Sequence, residues 1–161
     1  GVCVPHVNTK EDALKVVDGA KFTPVGHRGS YRGRRSFGVS DYFAKINDQV
    51  LVVVLIEELE AIENLQEILT VDEIDVFYVA PSDLAQSMGF PGQANRPEVQ
   101  EVIDKAITVI SAAGRAPGAL VTNESVEAYI RKGARFLYIN WDTWVTGGSK
   151  EYLSKVASAV S

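Results

Sequence analysis

The run VLVVVLIE at residues 50–57 is the feature that most restricts what this chain can become. Its apolar residues are continuous, with no polar residue at alternate positions, so a strand here has to be covered on both faces. It is also far too short to span a bilayer, which asks for about 20 apolar residues. ELEAIENLQEIL follows, with Leu59, Ile62, Leu65 and Ile68 at spacings of three, the signature of one helix face.

The same pair of signals recurs along the chain. Val2, Cys3 and Val4 form a short β-rich run, and Asn8 opens NTKEDALKVV with Glu11 three residues on, a capping-box pattern. Ala13, Val16 and Val17 supply the helical face there. A short helical stretch covers 41–47, and a strand is expected over 74–80. Pro81 can start a short helix through Met88, with Gly89 as its stop. Pro97 opens a long amphipathic helix carrying Val99, Ile103, Ile107 and Ile110, ending near Gly114. A strand over 118–121, a helix over 123–132 stopped by Gly133, a strand over 136–139 and a last helix over 149–160 complete the pattern. Residues 21–40 have no period and are rich in Gly and Arg, which reads as a long functional loop.

This β–α alternation predicts a parallel sheet with helical crossovers. No repeat, low-complexity segment or domain boundary interrupts it, so residues 1–161 read as a single domain. Two architectures fit. One is a flavodoxin-like doubly wound sheet. The other is the last five units of a (β/α)8 TIM barrel, a fold that usually needs about 250 residues, with about three units upstream. The start on a strand favours the second.

Apolar residues make up 46% of the 161 and charged residues 23%, with a net charge of −5. That balance argues against nucleic acid as a partner. A single cysteine, Cys3, excludes an internal disulfide and suits a reducing compartment. Without a membrane span or signal segment, the expectation is a cytoplasmic protein that meets small molecules or protein partners.

In either architecture ligands bind at the C-terminal ends of the strands. His6, Glu57, Asp83, Asn123 and Asp142 stand at or just beyond those ends. Glu57 and Asp83 follow consecutive strands, and parallel neighbours lie about 5 Å apart. Two carboxylates converging at that distance repel unless a cation lies between them, and oxygen ligands favour Mg²⁺ or Mn²⁺. The alternative is that each acid only stabilises the start of its helix, with Glu58 merely solvated.

LIEELEAIENLQEIL followed by IDVFYVAPSDLAQSMGF resembles the HpcH/HpaI aldolase family. The family's pattern is Gln-Ile-Glu-Thr at one strand end and Gly-Pro-x-Asp-Leu-Ser at the next. VPHVNTKEDA, KFTPVGHRGS and GRAPGAL also fit, and the likeness covers essentially the whole chain. The resemblance implies a (β/α)8 barrel and a class II aldolase that cleaves 2-oxo acids to pyruvate and an aldehyde through a metal-stabilised enolate. It implies that Glu57 and Asp83 hold a divalent ion (Mg²⁺ or Mn²⁺, with Co²⁺ an option). The main chain at Ser82 and Asp83 would receive the pyruvate carboxylate. The family is also expected to form homo-oligomers.

Three positions depart from the pattern. Leu55 stands where the family has a substrate-contacting Gln, Glu58 where it has Thr, and Ala80 where it has Gly. The family's His base, its Arg and the Asp that tunes the base lie on strands upstream of residue 1, so no catalytic acid–base residue is assigned within this chain. These departures leave two alternatives: a macrophomate-synthase-like enzyme that decarboxylates oxaloacetate, and a truncated, non-catalytic paralogue that only associates with full-length subunits.

The remaining candidates carry two readings each. His6 either faces the site or is a packed, hydrogen-bonded histidine. Arg28, Arg32, Arg34 and Arg35 either bind an anionic substrate tail or form a solvated or subunit-contact loop. Trp141 and Trp144 either wall the pocket or pack at a subunit interface. Cys3 is expected to be a small buried residue.

Overall fold

The computed structural model describes residues 1–31 and 33–160. Arg32 therefore lies outside the described residues. Five parallel strands form one sheet: β1 (Val2–Val4), β2 (Val52–Ile56), β3 (Val76–Val79), β4 (Pro117–Leu120) and β5 (Phe136–Tyr138). Their order in space is their order in sequence, with Val4 opposite Val54, Ile56 opposite Val79, Val79 opposite Ala119 and Leu120 opposite Tyr138. A doubly wound sheet begins in its middle and reverses at a switch point, so its order cannot be sequential. Sequential parallel strands linked by helices are the arrangement of a (β/α) barrel, and the sheet is a five-stranded part of one.

The helices are α1 (Lys10–Ala20), α2 (Tyr42–Gln49), α3 (Leu59–Glu63), α4 (Leu65–Ile68), α5 (Pro81–Ser87), α6 (Pro97–Ala112), α7 (Val126–Arg131) and α8 (Asp142–Val160). Side chains alternate across a strand, and this sorts the sheet into two layers. Val52, Val54, Ile56, Phe77, Val79 and Ala119 face outward onto Ala13 and Val17 of α1, Ile68 of α4 and the Val99–Ile103–Ile107–Ile110 stripe of α6. Val53, Val76, Tyr78 and Ala80 face the other way, with Leu55, Leu120 and Phe136 against them. The continuous apolar run of β2 thus has cover on both sides. On the inward face Tyr78 meets Phe136 and Tyr138 edge-on at 6.2 and 6.4 Å. Gly118 makes room for that ring: a Cβ there would lie 2.8 Å from Tyr78.

Four local expectations shift. The first helix is capped by Thr9 with Asp12, not by Asn8 with Glu11. Val7 is buried and the Asn8 carbonyl accepts from Asn64 Nδ2 at 3.0 Å, so the chain stays extended one residue longer. The single helix expected after β2 is two short ones, broken at Asn64, whose side chain is turned toward that same contact. The last helix starts at Asp142 rather than Ser149, because the carbonyls of Asn140 and Trp141 accept from Thr143 and Val145 and begin the turn early. Cys3 is exposed, not buried, because β1 is an edge strand.

The loop over 21–40 runs from α1 to α2 and so belongs to the end of the sheet where strands begin. Among its described residues, Arg34–Ser36 form a 3₁₀ turn. Polar groups at this end are densely satisfied. Lys21 is 3% exposed; its Nζ donates to the carbonyls of Asn47 at 2.6 Å and Val50 at 3.4 Å and pairs with Glu73 at 3.2 Å. Asp75 accepts from the Val52 N–H at 2.7 Å, and Arg115 donates to the carbonyls of Val71 and Ile74 at 2.7 and 3.1 Å. No helix among the described residues is long and apolar enough to cross a membrane.

Candidate functional site

Ile56 ends β2 pointing at the helices, so the next residue, Glu57, turns to the inward side. Glu57 is 2% exposed. Its carboxylate acts on the inward-facing Tyr78 and on Cys3, whose acidities it lowers together with burial, the larger cause in both. The His6 main-chain N–H donates to Glu57 Oε1 at 2.9 Å. His6 follows β1 with φ 56°, a left-handed conformation unusual for a residue with a Cβ. Its ring Nδ1 stands 2.7 Å from Glu58 Oε1 and 3.6 Å from Glu57 Oε1. The hydrogen bond to Glu58 raises the imidazole above its ordinary value, with the charges of Glu57 and, more weakly, Asp83 adding to the effect.

Asp83 comes from the next strand. Val79 leaves β3, and Pro81 begins α5 with its fixed φ and no N–H to satisfy. Ser82 and Asp83 then fall in the first turn, both exposed. Ser87 near the end of α5 accepts from the Leu59 N–H at 2.9 Å and ties this helix to the start of α3. His6, Glu58, Asp83, Gln86 and Ser87 line one shallow depression. Leu55 lies one inward layer below Glu57, half-buried and opposite Tyr78.

His6, Glu57, Glu58 and Asp83 are therefore brought together, and the other candidates are not. Arg28 stacks over the Phe22 ring at 4.8 Å, and neither Arg34 nor Arg35 lines the depression. Trp141 and Trp144 are exposed, and Trp144 Nε1 donates to Asn123 at 3.1 Å, linking the ends of β4 and β5. His6 is hydrogen-bonded but its side chain is 68% exposed, so it is not a packed histidine. Glu58 is half-buried and engaged rather than merely solvated. Its pairing with His6 was hidden because the two are 52 residues apart; the signal available was only that each comes two residues after a strand end.

Among the described residues no group of three or more His, Cys, Asp or Glu could hold a metal ion. The available donor set is two carboxylates. A buried carboxylate such as Glu57, with one main-chain donor, is short of compensating charge. No hydrogen bond reaches the Asp83 carboxylate among the described residues. Two hard oxygen donors are of the kind that suits Mg²⁺ or Mn²⁺.

Comparison with known proteins agrees in sequence and in shape. A family model described as HpcH/HpaI aldolase/citrate lyase matches residues 1–146. A 4-hydroxy-2-oxo-heptane-1,7-dioate aldolase of Shigella flexneri is 38% identical over 156 residues, covering 94% of this chain and 58% of that protein. The protein of the same name from Salmonella paratyphi B is also 38% identical, over 94% of this chain and 59% of its own length. The chain thus spans a little under three-fifths of these relatives. The crystal structure of an HpcH/HpaI aldolase/citrate lyase family protein from Burkholderia cenocepacia J2315 superposes with a TM-score of 0.88 at 26% identity, over 96% of this chain and 64% of that one. Macrophomate synthase shares the fold with a TM-score of 0.81 at 23% identity, over 100% of this chain and 60% of its own. With strand-end carboxylates, sequential parallel strands and a family match over nearly its whole length, the chain belongs to the HpcH/HpaI aldolase/citrate lyase family.

Proposed function

We propose that this chain carries the ion- and pyruvate-binding part of a divalent-metal-dependent class II aldolase, a carbon–carbon lyase that cleaves 2-oxo acids to pyruvate and an aldehyde. The observation that carries the reading is that Glu57, buried, and Asp83, without a hydrogen bond to its carboxylate among the described residues, stand at neighbouring strand ends and both act on His6. Glu57 and Asp83 hold the ion, Mg²⁺ or Mn²⁺. The bound ion supplies Lewis-acid stabilisation of the negative charge that develops on the keto oxygen. The main chain of Ser82 and Asp83 meets the substrate carboxylate. Leu55, lacking a polar group, offers the substrate an apolar contact where the family pattern has Gln.

The reading gives this chain's residues the binding of the ion and of the substrate carboxylate and assigns none of them an acid–base role. Self-association belongs to the same reading, since it would cover Trp141, Val145, Tyr152 and Leu153 in and beside α8, all exposed here.

The test is Mn²⁺ binding followed by electron paramagnetic resonance, with oxalate as the pyruvate mimic. Asp83→Asn is expected to weaken Mn²⁺ by about tenfold or more, the loss of one charged ligand. Unchanged binding in that variant would sink the assignment. Leu55 supports a second reading, oxaloacetate decarboxylation. It predicts that the complete protein releases CO₂ from oxaloacetate with Mg²⁺ and leaves aldol substrates intact.

A further inference from the structure

The left-handed backbone at His6 is unexplained by the strand it follows or by the family pattern. Among the described non-glycine residues it shares a positive φ only with Glu73. Such a conformation costs free energy wherever a Cβ is present, so something has to hold it. Three contacts do. The next residue, Val7, is 1% exposed and sits in the outer core, so the chain must turn sharply to reach it. The His6 N–H is 2.9 Å from Glu57 Oε1, and the ring is 2.7 Å from Glu58 Oε1. Adjacent residues in an extended chain point to opposite sides, yet both carboxylates here reach His6, Glu57 through its N–H and Glu58 through its ring.

We propose that His6 is a positioning residue for the ion site through its main chain: the left-handed backbone presents the N–H that orients Glu57. This rests on the ion-site reading above. Oε1 of Glu57 is engaged by a donor just beyond β1, and the rest of the carboxylate is left to face Asp83 and a cation. The ring contact depends on Glu58, which stands where the resembled family's pattern has Thr.

The test separates backbone from ring through Mn²⁺ affinity, measured by electron paramagnetic resonance well below each variant's melting transition. His6→Gly adopts the left-handed region freely and keeps the N–H, so affinity should stay within about threefold of the parent. His6→Val resists that region, swings the N–H away from Glu57 and should bind Mn²⁺ about tenfold more weakly. If His6→Val does not fold, His6→Ala replaces it, with a loss of about fivefold relative to His6→Gly. A purely structural turn would lower the melting temperature of these variants while leaving their ion affinities equal. Equal affinities, with Asp83→Asn still impaired, would overturn the role of His6 and leave the ion site standing. Parental binding in Asp83→Asn would overturn both.

Discussion

The two ends of the sheet treat buried charge in opposite ways. Where the strands begin, Lys21 is buried and answered by two carbonyls and a carboxylate, and the half-buried Arg115 by two carbonyls. Where they end, Glu57 is as deeply buried yet has one main-chain donor and an exposed histidine, and Asp83 stands in the first turn of α5. A buried polar group that is satisfied contributes order; one left short of partners is a place for a ligand. The barrel fold assigns these jobs to the same two ends, stability to the start of the strands and chemistry to their finish.

The comparison can be broken by removing charge at each end. Lys21→Ala strands two buried carbonyls and should lower unfolding free energy by about 2–4 kcal/mol in urea titrations. A loss below about 1 kcal/mol would mean that the lysine is not the lock described. Arg115→Ala comes next, at about 1–2 kcal/mol, from its two carbonyls and its stacking on Phe77; its ion pair with the largely exposed Asp72 adds little. Glu57→Gln should change stability by no more than about 1 kcal/mol, because the amide oxygen still accepts from the His6 N–H while the buried charge disappears. The same variant should lose Mn²⁺ binding, so stability and ligand affinity would part company at this end alone.

The smallest effect tests an exposed pair at the satisfied end. Asp18 stands 2.5 Å from the His27 ring and raises its proton affinity, first through the hydrogen bond and then through its charge. The folded state thus holds this proton more tightly than the unfolded one. The contribution is fully present below the ordinary histidine value of 6.5 and fades as pH rises through the raised folded value. NMR titration should place His27 above 6.5 and return it toward that value in Asp18→Asn, with hardly any change in melting temperature.

Much of this was legible from one dimension. The apolar run of β2 announced two covered faces, and the α6 stripe of Val99, Ile103, Ile107 and Ile110 is buried as its spacing predicts. Pro81 marked the start of α5, and Gly89, Gly114 and Gly133 sit at positive φ at the helix stops. Glu57 and Asp83 stood out because one directly follows an apolar strand and the other comes within a few residues of the next strand's end. Other features were not legible. The last helix was expected over 149–160 but begins at Asp142, since hydrogen bonds already begun upstream carry it through Gly147 and Gly148. Cys3 looked buried because its neighbours are apolar, but an edge strand exposes it.

By itself, then, the sequence determined the element types, the covered faces and the residues that emerge at strand ends, because periodicity and turn chemistry act over a few residues. Only the tertiary structure decided that the strands pair in sequential order, that the arginine-rich loop lies at the opposite end from the carboxylates, and that His6 grips Glu57 and Glu58. Those outcomes depend on contacts between residues some 51 apart in the chain, whose partners no local pattern names.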